Sequence, residues 1–185
     1  MMLKRFLVRQ IDRFERQWRY DGAYMRRLLE DGGTAPFVKF WIATSMVDRK
    51  AAPPEALAAA GIVGTMYEDC GPCTQISVDM AAAGGVSETV LHAILAGDEA
   101  AMGEDAALAY RFARASLARD VEAADPLRDE VVRRWGERAL VALGLAITTA
   151  RMYPTLKYAL GYGKACSRVT VSGEPARIAH LAAAA

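Results

Sequence analysis

Histidine, cysteine and charge of one sign are all scarce in this sequence of 185 residues, and each scarcity narrows the function. There are 2 histidines, His92 and His180, and 3 cysteines, Cys70, Cys73 and Cys166. So few cysteines, odd in number, exclude the disulfide framework of a small secreted domain. Lys and Arg number 23 against 22 Asp and Glu, a net charge of +1, so no basic excess marks a nucleic-acid footprint. Long apolar runs are missing too. The longest, Ala139 to Ala150, contains Thr148 and Thr149, stops at Arg151 and falls short of the ~20 residues of a membrane span. The N-terminus from Met1 to Arg9 carries Lys4, Arg5 and Arg9 within its apolar stretch and has no small-residue cleavage site, unlike a signal peptide. These absences predict a soluble cytoplasmic protein that binds neither nucleic acid nor membrane and has small-molecule or protein partners.

Strand-like alternation is also lacking, apart from a short Arg168-Val169-Thr170-Val171. What is present is helical periodicity in a chain that is 53% apolar and long enough to bury one core, so a single domain over 1–185 is expected. An amphipathic N-terminal region, about 3–30, opens with Leu3, Phe6, Leu7, Ile11, Phe14 and Trp18 on one side and arginines on the others. Such a helix can lie on a membrane or pack against its own domain or a sister subunit, and Asp12 and Glu15, which dilute the basic face, favour packing. A second segment, Ala23 to Glu30, ends at Asp31-Gly32-Gly33.

Thr34 is expected to cap a helix from Pro36 to about Val47, with Phe37, Phe40 and Trp41 in the core. Pro54 suits the first turn of a helix running to Tyr67, and another spans Asp69–Cys70 to Ala83 before Gly84-Gly85. Further helices fit Glu88 to Ala96 behind Ser87, Glu104 to Ala118, Pro126 to Trp135 behind Asp125, and Glu137 to about Tyr162, kinked or split at Pro154. Residues 172–185 read as a flexible tail. The fold class is an all-α bundle of roughly seven to nine helices.

Cys70-Gly71-Pro72-Cys73 is the motif that carries chemistry. Residues three apart share a helix face with Cβ atoms about 5–6 Å apart, and a small adjustment brings them to the about 3.5–4.5 Å of a disulfide. Gly71 and Pro72 place the pair at a helix start, where thiolates are favoured. A helix terminus contributes only about 0.3–1 kcal/mol to a nearby anion. Glu68 and Asp69 oppose it with about 0.7 kcal/mol for a carboxylate ~6 Å away in water. The two nearly cancel, so Cys73 is expected only modestly below the ordinary thiol value unless a cation arrives from elsewhere in the fold. Glu68 is either a proton donor or acceptor for the pair or a helix cap with a solvated charge.

Other candidates are plainer. His92 sits among Val90, Leu91, Ile94 and Leu95 as a packed histidine, and His180 lies exposed in the tail. The cysteine pair with Cys166 and a histidine would make zinc ligands only on paper, since no second ligand pair at short spacing exists; no metal and no cofactor are expected. Tyr153-Pro154-Thr155-Leu156-Lys157-Tyr158 mixes aromatics with a cation at a helix breaker, and can line a pocket or pack between subunits.

The stretch Tyr67-Glu68-Asp69-Cys70-Gly71-Pro72-Cys73-Thr74-Gln75, followed by Met80-Ala81-Ala82-Ala83-Gly84-Gly85-Val86-Ser87, resembles the AhpD-like, carboxymuconolactone decarboxylase family. The likeness covers roughly Pro54 to Gly97. It implies a small all-α protein that assembles as a homo-oligomer and acts as a thiol–disulfide oxidoreductase or alkylhydroperoxidase. By resemblance Cys73 attacks a peroxide or disulfide substrate, Cys70 resolves the product, and an external thiol reductant restores the pair. Peroxidase members also use a histidine four residues after the second cysteine, where this chain has Ser77. They use a glutamate about three turns before the first, where it has Ala58, with Glu55 one turn earlier. Ser77 can hydrogen-bond a thiolate but takes no proton at neutral pH. The alternative is a non-enzymatic redox sensor or interaction module with an incomplete proton relay. Decarboxylase or lactone chemistry fits least, because that branch lacks the cysteine pair.

Overall fold

The computed structural model describes residues 2–163 and 168–179, which form nine helices and one two-stranded hairpin. Cys166, His180 and Leu181 to Ala185 lie outside the described residues.

The core is organised around α4 (Pro54–Tyr67), whose small residues let neighbours approach closely. Ala56, Ala59, Ala60, Val63 and Gly64 are all buried. α4 packs most extensively against α7 (Glu104–Ala118) and α9 (Glu137–Ala159). A Cβ on Gly64 would stand 3.0 Å from the Ile147 carbonyl oxygen and 3.1 Å from the Ala150 Cβ, so glycine is required for the α4–α9 approach. α5 (Gly71–Ala83), α6 (Glu88–Ala96) and α8 (Val121–Trp135) surround this centre, and Leu91, Ile94, Leu108, Val131 and Leu143 fill it. A separate, thinner layer is made by α1 (Met2–Trp18), α2 (Ala23–Asp31) and α3 (Thr34–Thr44), around Leu7, Ile11, Leu29 and Phe37.

Several boundaries differ from the sequence expectation. The N-terminal region is two helices, as the second segment from Ala23 implies, and the break comes where Arg19 takes a left-handed φ of 48°. Gly33, at φ 88°, occupies the cap of α3, so Thr34 is already helical. Phe37 is buried, Phe40 is half-buried and Trp41 is exposed, because α3 offers the core only one edge. α8 starts five residues early: Asp120, not Asp125, is the cap, accepting the Ala123 N–H at 3.0 Å. Pro126 is tolerated inside α8 because the Glu122 carbonyl it leaves unpaired belongs to an exposed residue that water can reach. α9 is assigned as one helix through Pro154 and stops at Ala159, ahead of Gly161 at φ 80°.

At 23 residues α9 is, among the described residues, the helix long and apolar enough to span a membrane by length and composition. Ala139, Ala142, Leu143, Ala146 and Ile147 are nevertheless buried in the bundle.

The expected flexible tail is partly structured. β1 (Thr170–Val171) pairs antiparallel with β2 (Glu174–Pro175) across Ser172 and Gly173, both at positive φ. Val169 and Val171 are buried, and the Ala179 N–H donates to the Leu95 carbonyl at 2.7 Å. Gln75 of α5 clamps this hairpin, donating to the Thr170 carbonyl at 2.9 Å and accepting from its N–H at 2.8 Å. The helix that carries Cys73 is therefore held from the hairpin side.

Candidate functional site

The turn between α4 and α5 sets the cysteine geometry. Glu68 closes α4, Asp69 reverses the chain at a left-handed φ of 48°, and Cys70 is extended at the cap of α5. Asp tolerates that left-handed conformation better than most residues. Pro72 falls in the first turn of α5, where its missing N–H has no helical partner to lose. The Tyr158 hydroxyl donates to the Asp69 carbonyl at 3.0 Å, and the buried Thr74 hydroxyl donates to the Cys70 carbonyl at 3.0 Å.

This local frame leaves Cys70 and Cys73 as free, buried thiols with their sulfurs 2.8 Å apart. That is closer than two unbonded sulfurs ordinarily approach, and closing to a disulfide of ~2.05 Å needs only a small movement. Behind the pair, the Tyr20 hydroxyl lies 3.9 Å from the Cys73 sulfur. Lys157, 3% exposed, donates from Nζ to the Tyr20 hydroxyl at 3.1 Å. Its Nζ also lies 4.9 Å from the centre of the Tyr20 ring and 5.4 Å from that of Tyr24.

These neighbours divide the two thiols. Cys70 is lowered from 9.0 to about 7, first by the hydrogen bond from the Cys73 thiol, then by the Cys73 backbone N–H and the charge of Lys157. Burial and Asp69 work against this. Cys73 is pushed up, by its hydrogen bond to Cys70, by burial and by the Cys70 charge. Cys70 is thus the more readily ionised member of the pair, and Cys73 the one that holds its proton. The expectation that Cys73 itself lies modestly below the ordinary value is corrected: the lowered member is Cys70, and the cation that sequence spacing did not supply is Lys157. Burial pushes Tyr20 and Tyr24 well above the ordinary phenol range, so both remain neutral donors.

Cys73 also lines a cavity of ≈ 760 Å³ between the N-terminal layer and α4, α5 and α9. Its walls include Phe14, Tyr20, Phe37, Phe40, Met80 and Tyr153, and they include Arg13 and Arg49 but no carboxylate. Cys70 is not among the lining residues, so the sulfur that meets the cavity is that of Cys73.

The remaining sequence candidates fall in different places. Glu68 is committed to Arg151, with two guanidinium nitrogens at 2.5 Å, and Arg151 covers the Tyr67 ring at 5.1 Å. Among the described residues it has no hydrogen bond to either thiol, and it caps the end of α4 rather than the start of α5. Ser77 lines the cavity, but its hydroxyl donates to the Cys73 carbonyl at 3.0 Å, not to a sulfur. Ala58 lines the same cavity, and Glu55 is half-buried in the first turn of α4. His92 is half-buried on α6 and does not line the cavity. Among the described residues no group of three or more His, Cys, Asp or Glu is gathered as a metal site.

Sequence spacing missed Tyr20, Tyr24 and Lys157. The signal for Lys157 was its place in an aromatic segment at a helix breaker. Tyr20 carries no local signal, since only tertiary folding brings it to α9. Comparison with family models, with curated proteins and with solved structures finds no match to this chain.

Proposed function

We propose that this protein is a thiol–disulfide oxidoreductase of the AhpD-like kind, cycling Cys70 and Cys73 between dithiol and disulfide. The observation that carries this reading is the 2.8 Å separation of two buried free thiols at a helix start. A substrate, an organic hydroperoxide or a disulfide, reaches Cys73 through the cavity it lines. As the Cys73 sulfur attacks, its proton passes to the Cys70 thiolate beside it. A hydroperoxide leaves as an alkoxide, which takes a proton from water to become the alcohol, and Cys73 becomes a sulfenic acid. A disulfide leaves one thiolate and a mixed disulfide on Cys73. Cys70 then gives up its proton and attacks the Cys73 sulfur, releasing water or the second thiol and forming the intramolecular disulfide. An external thiol reductant returns the pair to its starting state.

The exposed apolar residues Trp41, Ile42, Met46, Val141 and Tyr158 support assembly as a homo-oligomer, and the near-zero net charge fits a cytoplasmic setting. The reading is tested by incubating wild-type, Cys70→Ser and Cys73→Ser proteins with cumene hydroperoxide or with a small aromatic disulfide. Loss of oxidant consumption in Cys73→Ser and a trapped Cys73 adduct in Cys70→Ser are expected. The sensor reading has its own support, since Ser77 spends its hydroxyl on a helix carbonyl and offers no proton relay. It predicts a disulfide that forms once, with no turnover when thiol is supplied.

A further inference from the structure

We propose that Lys157, held by Tyr20 and Tyr24, is a positioning residue that keeps the reduced Cys70–Cys73 pair anionic and makes its disulfide an oxidising one. This inference rests on the redox reading and adds what sets the poise of the pair.

Lys157 is 3% exposed and lies against two tyrosine rings and one tyrosine hydroxyl. Among the described residues no carboxylate forms an ion pair with it. An ammonium buried without a counter-charge is costly, and tyrosine faces offset only part of that cost. Its link to the thiols runs through Tyr20: Lys157 donates to the Tyr20 hydroxyl at 3.1 Å, and that hydroxyl lies 3.9 Å from the Cys73 sulfur. Among the described residues, the ionisable groups that act on the pair are Lys157 and Tyr153 from α9, Tyr20 between α1 and α2, Tyr24 from α2, and Asp69 ahead of α5, while Arg13 and Arg49 line the cavity beyond Cys73. Of the groups that act on the pair Lys157 is the one cation, and the Cys70 thiolate is the anion it stabilises.

The redox step removes that anion. The reduced pair, one thiolate and one thiol, loses two electrons and its remaining proton to give a neutral disulfide. An oxidant such as glutathione disulfide accepts the electrons and that proton and leaves as one thiol and one thiolate. The Lys157 ammonium has a counter-charge in the reduced pair and none in the disulfide. The reduced state is therefore favoured, and the couple is shifted in the oxidising direction, as in other dithiols whose reduced form is stabilised.

The test uses the full chain as wild type, Lys157→Met, Lys157→Arg and Tyr20→Phe, equilibrated in mixtures of reduced and oxidised glutathione, with thiol trapping to read the oxidised fraction. In parallel, the pH dependence of iodoacetamide alkylation reads the thiol midpoint. Lys157→Met is expected to make the disulfide about tenfold harder to reduce, ~30 mV for a two-electron couple. It should also move the alkylation midpoint upward from about 7. Lys157→Arg should stay near wild type, and Tyr20→Phe should shift both in the same direction by less. An unchanged equilibrium and an unchanged midpoint in folded Lys157→Met overturn the inference while leaving the redox reading standing. Absence of any Cys70–Cys73 disulfide in wild type overturns both. Should Lys157→Met fail to fold, thermal unfolding of reduced and oxidised wild type decides: the reduced form melting higher supports the inference, and the oxidised form melting higher overturns it.

Discussion

The two sides of α4 are built by opposite means, and Cys73 lies on the looser one. Towards α7 and α9 the helix offers Ala56, Ala59, Ala60 and Gly64, and backbones come into contact with little between them. On its other side Leu57, Ala58, Gly61 and Thr65 face the cavity, which the N-terminal layer roofs with aromatic rings. Small residues thus serve two ends in one helix. Where a neighbouring backbone approaches they are filled in by it, and on the cavity side they leave room.

The comparison can be broken at its strongest point by Gly64→Val. Extra carbons there press on the Ile147 carbonyl, and a loss of about 3 kcal/mol is expected in urea unfolding. A tolerated valine would mean that α4 and α9 are not locked together. Ile11→Ala, in the thin layer, should cost about 2 kcal/mol, at the low end for a buried isoleucine because the adjoining cavity is already open. Hydrogen exchange should then quicken across α1–α3 while α4, α7 and α9 keep their protection. Equal loss in both regions would erase the distinction.

A pH effect follows from the thiols on the loose side. Cys70 in the folded protein lies near 7, below its ordinary 9.0, so its contribution to stability is present above 9.0 and lost as pH falls through about 7. Cys73 is shifted the other way, and its contribution falls away above 9.0. The reduced protein should therefore gain on Cys70→Ser between about pH 7 and 9. A stability difference that stays flat over that range would remove Lys157 and the short sulfur contact as causes. The smallest effect is expected from Gly61→Ala. A Cβ there meets nothing within 4 Å, so the substitution should stabilise by about 0.5–1 kcal/mol through helix propensity alone.

Legibility in the sequence follows the range of the interactions. Pro54, Gly84-Gly85 and the Ser87 cap punctuate the chain locally, and the middle helices lie close to where these residues put them. The cysteine pair was legible for the same reason, since three residues and a proline decide its geometry. Asp125 misled because Asp120 is an equally good cap five residues earlier and an exposed proline does not stop a helix. Trp41 misled because an aromatic residue in an amphipathic segment need not face inward. Lys157 and Tyr20 are 137 residues apart, so the contact that sets the charge of the site is written in no local pattern. Glu68, beside the motif in sequence, is drawn off by Arg151 from α9.

The most direct test of the redox pair is mass spectrometry of the full chain after equilibration with oxidised glutathione and alkylation under denaturing conditions. Cys70 and Cys73 should appear unalkylated, joined in one peptide that is lighter by a pair of hydrogens and that takes two alkyl groups once reduced. Both cysteines fully alkylated without prior reduction would contradict the assignment of this pair as a redox centre.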